Sequence, residues 1–297
     1  MSKQQIKKLI EQRTQSEGLV DSGVKGVQLF RVSEPVRCAP AIYQPSIVAI
    51  VSGTKEAILD GQRYEYGSDK YMCCPMSMPV EAGTPRASAE TPLLGVYISL
   101  DTRVMTELAI ELERVSPAIR LPTSNPPPHG LTLADWDNAF TEALLRLLQI
   151  SSSATDASVL GNGRMRELYY AVLNGEAGRA ARRAFGVGNE IARTIDYLST
   201  RLHEPVTIDA MAAQVGMSRA VFHRKFKQAT TMSPIQFVKS MRLNNAAMRI
   251  ATGMTVNEAA MEVGYLSSSQ FSREFKRMYG HSPRKWSHTA QLTSGVA

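Results

Sequence analysis

Two stretches of the last third of the chain carry basic and polar side chains at helical spacing. The first holds Arg219, Ala220, His223, Arg224, Lys225 and Lys227; the second holds Ser268, Ser269, Ser272, Arg273, Lys276 and Arg277. None of these residues makes a nucleophile or a metal cage. Their chemistry is non-covalent. An arginine offers a bidentate contact to guanine, worth about 1–3 kcal/mol of discrimination. Lysines behind them neutralise phosphates.

The elements that position these residues are said twice. Residues 207–216 read TIDAMAAQVG and residues 255–264 read TVNEAAMEVG. Phe222, Phe226 and Ser233-Pro234 follow the first, and Phe271, Phe275 and Ser282-Pro283 follow the second. The offset is 48 residues up to the glycine and 49 after it. Each copy predicts helix, glycine turn, helix over 207–229 and 255–279. Ile208, Met211, Ala212 and Val215 form the apolar stripe of the first support helix, and Val256, Ala259, Ala260 and Val263 that of the second. Gly216 and Gly264 take the left-handed turn. Ser218 caps one following helix, and Ser267 or Ser268 the other. The phenylalanine pairs, four residues apart, pack inward, which turns the basic residues outward. A linker helix over 233–252, about 20 residues at ~1.5 Å each, makes a rod of ~30 Å. That is close to one ~34 Å turn of B-DNA.

Charge agrees with this placement. Residues 186–297 hold 14 Lys/Arg against 7 Asp/Glu, while residues 1–185 hold 20 of each. The whole formal excess of +7 therefore sits on the repeat-bearing third, as a polyanion-binding domain requires. Residues 1–185 and 186–297 are read as two domains, with the boundary at residues 186–188, where composition and pattern shift.

Within the first domain, strands are expected at 27–32, 46–51, 55–59, 63–67, 71–75 and 93–100, with Asp60-Gly61 as a hairpin turn. Short strands with frequent turns argue for a sandwich or small barrel. Helices are expected at 2–16, 102–115, 131–150, 165–173 and 177–185, with a proline-rich break at 116–130. The fold class is α+β: a β-barrel with following helices, then an all-α domain. The inward faces of the strands, for example Val48, Ile50, Tyr64 and Tyr66, are the candidate lining of an effector pocket. A slip of one residue would reverse that face. Cys73 and Cys74 point to opposite faces of a strand, so one enters the barrel, as a small buried hydrophobe or as a redox-sensing thiol.

The segment from about residue 189 to 286 resembles the DNA-binding domain of AraC/XylS-type transcriptional regulators. The matching residues are Arg242-Leu243, Ala246, Gly264-Tyr265, Ser269, Phe271, Arg273, Phe275-Lys276, Gly280 and Ser282-Pro283. Trp286 stands where the family usually has phenylalanine or tyrosine. Residues 41–101 are similar to the effector-side domain of one AraC-type subgroup, through Tyr43-Gln44-Pro45-Ser46, residues 51–55, residues 64–67, Pro79-Val80 and residues 92–94. The resemblance implies a cupin-like barrel, a small-molecule effector, and double-stranded promoter DNA and RNA polymerase as partners. It also implies promoter contacts from Ala220, His223, Arg224, Ser268, Ser269, Ser272 and Arg273.

Other classes are weighed by composition. The five histidines are at 129, 203, 223, 281 and 288. None precedes residue 129, so a histidine-bound metal in residues 26–101 is excluded. Three cysteines cannot make the four-cysteine zinc site of a DNA-repair methyltransferase. No phosphate loop or nucleophile motif is present, and no catalytic residue, metal or cofactor is assigned. The second reading is a small-molecule-binding, redox-sensing or catalytic barrel with an accessory DNA module. The polar amino terminus lacks a secretory apolar region and no apolar run reaches the ~18 residues of a membrane span, so a cytoplasmic location is expected. The helices over 132–150 and 163–174 either pair two subunits as a homodimer or cover the barrel.

Overall fold

The computed structural model describes residues 2–115, 130–186 and 189–290, with side chains to residue 287. Among them, ten strands form two antiparallel sheets. The first has the order β1 (Gly18–Asp21), β2 (Val27–Val32), β9 (Leu93–Ser99), β4 (Ser46–Ser52), β7 (Lys70–Cys74), β10 (Thr132–Asp135). The second has the order β3 (Val36–Tyr43), β8 (Met78–Thr84), β5 (Thr54–Leu59), β6 (Gln62–Gly67). Asp60 and Gly61, with φ of 49° and 79°, close the β5–β6 hairpin, as the Asp-Gly pair predicts.

The sheets face each other. Tyr66 on β6 donates its hydroxyl to Met72 Sδ on β7 at 3.8 Å. The opposite face of the first sheet is covered by helices: Tyr71 stacks on Phe140 with ring centroids 4.1 Å apart. Phe140 belongs to α3 (Asn138–Ile150), which also buries Leu144, Leu147 and Leu148. Around it lie α1 (Ser2–Arg13), α2 (Thr102–Val115), α4 (Ala154–Asn174) and α5 (Gly178–Phe185).

Several local expectations change. Residues 132–135 are strand β10, paired with β7, rather than the start of a helix; α3 begins only after Asp137, whose carboxylate accepts the Phe140 amide. The expected helix at 165–173 is the end of the 21-residue α4, which absorbs Gly161-Asn162-Gly163 and is capped by Ser153. Strands β1, β3 and β8 had no strand signal. Pro40 and Pro79 break the pattern, yet β3 is an edge strand and Pro79 pairs only with Ile42 there, positions that tolerate a missing amide. The proline-rich break at 116–130 lies outside the described residues except at Gly130, as do Val187 and Gly188 of the boundary.

The carboxy-terminal part is helical: α6 (Glu190–Ser199), α7 (Ile208–Gln214), α8 (Arg219–Thr230), α9 (Pro234–Ala251), α10 (Val256–Glu262), α11 (Ser268–Tyr279) and α12 (Pro283–Ala290). Among the described residues no helix is long and apolar enough to cross a membrane.

Candidate functional site

The two recognition helices, α8 and α11, are anchored in the same way. Phe222, Phe226, Phe271 and Phe275 are all fully buried. Gly216 (φ +65°) and Gly264 (φ +85°) make the turns. Ser218 accepts the Val221 amide and Ser267 the Gln270 amide. With the phenylalanines inside, the other face must be outside. Arg219, Ala220, His223, Arg224, Lys225 and Lys227 are exposed, as are Ser268, Ser269, Arg273, Lys276 and Arg277; Ser272 is half-buried.

The cations of this face are largely uncommitted. Arg219 forms one ion pair, with Asp209 at 3.5 Å, and both side chains are solvated, so the pair yields readily to a phosphate. Among the described residues, Arg224, Lys225, Lys227, Arg273, Lys276 and Arg277 make no ion pair. Beside α11 a concave surface is lined by Thr255, Asn257, Ser268, Ser269, Ser272 and Arg284. The starts of α10, α11 and α12 open onto it, so its amide dipoles favour an anion.

Helix α9 joins the units. It starts with a capping box between Ser233 and Gln236 and spans 18 residues, a rod of about 27 Å. Arg242 donates from Nε to Leu202 O at 2.8 Å and from Nη2 to Glu204 O at 2.7 Å. Lys239 pairs with Glu274 at 3.0 Å, and Tyr265 donates its hydroxyl to the same carboxylate at 2.8 Å. Burial pushes the Glu274 carboxyl up, but these hydrogen bonds and the Lys239 charge outweigh it and hold it below its ordinary value. Burial, then Glu274, raises the Tyr265 hydroxyl. Of this network, the sequence marks Arg242 and Tyr265 only through the family resemblance. Lys239 and Glu274 carried no periodic signal.

Strand register decides which candidate pocket residues meet. Val48 pairs with Met72 and Ser46 with Cys74, and Met72 lies between the sheets. Val48, Ile50 and Cys74 therefore share the inter-sheet face, by the alternation of a strand. Tyr66 and Tyr64 face them from the second sheet. Cys73 shares a face with Tyr71, towards the helices, and leaves the candidate lining. Both thiols are fully buried. Burial pushes Cys73 up to about 12. Burial, then Cys73, also raises Cys74, which donates to Met76 O at 3.0 Å. A buried protonated thiol is a poor redox nucleophile.

Tyr43 and Lys55 also lie on the inter-sheet side, with no periodic signal in the sequence. Tyr43, paired with Met78 on β8, has a buried hydroxyl beside that of Tyr66, and the buried Tyr64 hydroxyl has no hydrogen-bond partner among the described residues. Lys55 is the register partner of Tyr66. It has no ion pair among the described residues, and burial lowers its ammonium to about 8.

Comparison with known proteins bears on both parts. Residues 23–180, more than half of the chain, match the family described as AraC-type transcriptional regulator N-terminus, and residues 211–289 match a helix-turn-helix domain. The chain is 36% identical over 101 residues to the HTH-type transcriptional regulator MtrA of Neisseria gonorrhoeae, covering 34% of this chain and 32% of MtrA. It is 28% identical over 99 residues to the regulatory protein SoxS of Salmonella typhimurium, covering 33% of this chain and 92% of SoxS. In fold it is similar to unsaturated fatty acid bound ToxT of Vibrio cholerae, with a TM-score of 0.53 at 12% identity over 91% of this chain and 96% of that one. The match to ToxT spans both the β-sheet domain with its helices and the helical domain, while MtrA and SoxS match over about a third of this chain, and the chain belongs to the AraC-type family of DNA-binding transcriptional regulators, a family of regulators rather than enzymes.

Proposed function

We propose that α8 and α11 enter neighbouring major grooves of a double-stranded promoter site, with unequal roles. Arg219, His223 and Arg224 carry most of the base reading. Ser268, Ser269, Ser272 and Arg273 read less sharply, and Lys225, Lys227, Lys276 and Arg277 hold phosphates. The groove beside Ser269 and Arg284 takes a further backbone phosphate. The observation that carries this reading is the exposure of two repeat-related cationic faces whose apolar sides are fully buried. The test is selection of bound fragments from a random duplex library by the full-length chain. A two-part motif with about one helical turn between its halves is expected, with affinity falling steeply as salt rises. Sequence-independent binding would overturn the reading.

We further propose that the inter-sheet face is the effector site and that its occupant is an apolar molecule with an acidic head. The unpartnered Tyr64 hydroxyl, the buried Tyr43 and Tyr66 hydroxyls and the Lys55 ammonium without a carboxylate support this. So does the fatty acid bound by ToxT, a protein of similar fold. A long-chain unsaturated fatty acid should raise the melting temperature of the wild-type chain more than the matching alcohol does. Lys55→Met should abolish that difference. Equal shifts by acid and alcohol would remove the acidic head from the proposal. The protein acts in the cytoplasm with RNA polymerase. Val159, Leu160 and Tyr170, exposed on α4, are the face on which two copies pair; sedimentation as a monomer at micromolar concentration would refute that pairing.

A further inference from the structure

Helix α9 touches the sheet domain as well as both reading units. Asn244 is only 2% exposed, deep in an interface rather than on a solvated helix face. Its Nδ2 donates to Ala41 O at 2.8 Å and to Val80 O at 2.9 Å. Ala41 and Val80 are register partners on β3 and β8, so one amide reads both strands of the pair. Its Oδ1 accepts the Tyr279 hydroxyl at 2.6 Å. Both amide protons and the carbonyl oxygen are thereby used. Tyr279 is the last residue of α11. Beside Val80, Glu81 is half-buried, and burial raises its carboxyl. Burial, then Glu81, raises the Tyr279 hydroxyl, which keeps it a donor to Asn244.

The apolar packing around this contact is uneven. Buried side chains run without a break from the sheet domain through Ile191, Ile195 and Leu198 to Phe222, Phe226, Phe237 and Met241. The second unit has a separate cluster that begins at Leu243 and contains Ala259, Val263, Phe271 and Phe275. The first unit thus shares the core of the sheet domain. The second meets the sheet through a polar clamp, whose hydrogen bonds water can replace when it opens. Both recognition faces stay exposed while the clamp is closed, so the clamp sets orientation and does not block DNA.

We propose that Asn244 is a coupling residue: the β3–β8 pair holds the second recognition helix in place through Asn244 and Tyr279, while the first unit is held by the shared core. Tyr43, of the proposed effector face, lies two residues from Ala41 on β3. An occupant that displaces β3 therefore loosens the second unit selectively. That last step rests on the effector reading above; the clamp does not.

The test is hydrogen exchange by mass spectrometry on the full-length chain, without DNA or effector, comparing wild type with Asn244→Ala and Tyr279→Phe. Far-UV circular dichroism first establishes that each variant folds. With Asn244→Ala, exchange should rise about tenfold in peptides from β3, β8, α11 and α12, with α8 and β1–β2 unchanged. Tyr279→Phe should give a smaller rise in α11 and α12. If Asn244→Ala does not fold, Tyr279→Phe alone decides. Unchanged exchange, or a rise spread evenly over α8 and α11, overturns the clamp. Failure to select any DNA motif would defeat the functional reading and leave this result standing.

Discussion

The two helix-turn-helix copies share their caps, turn glycines and phenylalanine pairs but differ in what surrounds them. Gly216 has no neighbouring atom within 4 Å of where a Cβ would stand, whereas at Gly264 that atom would lie 2.8 Å from His203 O. The second support helix starts with a full capping box between Thr255 and Glu258; the first has only the Thr207 cap, with Ala210 at the matching place. Tyr265 and Glu274 form a network with Lys239, and the corresponding positions of the first copy are Met217 and Lys225. The first recognition helix ends on Thr231 at φ 66°, where the second ends on Gly280 at φ 75°. The copy with more local reinforcement is the one outside the shared core. The copy with the more cationic outer face shares its buried cluster with the sheet domain. The duplicated unit thus differs in its two copies: one exposes long cationic side chains, and the other is braced locally.

The largest test of this contrast is at the turns. Gly264→Ala should cost about 3 kcal/mol or more, because a backbone clash adds to the left-handed strain, and Gly216→Ala about 1 kcal/mol, strain alone. Urea unfolding of each variant measures both; equal costs would erase the asymmetry. Next comes reading. Arg224→Ala should weaken binding to the selected site by about 1–3 kcal/mol and relax preference at one position, while Ser269→Ala should cost under about 1 kcal/mol. Competition binding with matched and mismatched duplexes checks this, and a larger loss at Ser269 would reverse the assigned roles.

The third test uses pH. The Glu274 carboxyl lies below its ordinary 4.5 in the folded chain. Its contribution is therefore fully present above that value and is lost as pH falls through the folded pKa. Glu274→Gln should cost about 1 kcal/mol at pH 7 and progressively less under acid, when the wild type loses the same bond. Unfolding curves at pH 7 and pH 4 provide the check, and a penalty that grows under acid would contradict it. The smallest effect is at the helix end. Thr231 is a β-branched residue in the left-handed region, so Thr231→Gly should stabilise the chain by about 0.5–1 kcal/mol. A loss of stability there would mean that the Thr231 side chain contributes more than its strain costs.

Much of the reading domain was legible because its determinants are local. Ser218, Gly216, Phe222 and Phe226 act within a few residues of one another, and the repeat shows each of them twice. The sheet domain was less legible. Pro40 and Pro79 hid two strands, one at a sheet edge and one where its proline has a strand neighbour on one side only, and residues 132–135 became strand only because β7 presented a free edge to them.

From the sequence alone follow the two helix-turn-helix units, their outward basic faces, the side of the chain that carries the excess charge, and a strand-rich first half. Tertiary structure alone decided that Cys74 and not Cys73 faces the inter-sheet space, since one residue of register reverses a strand's face. It also decided that Asn244 meets Ala41 and Val80, 203 and 164 residues away in the chain. Caps, turns and helical stripes are written within a few residues. Which strand edge a helix docks on depends on how separate elements pack, and no local pattern records it.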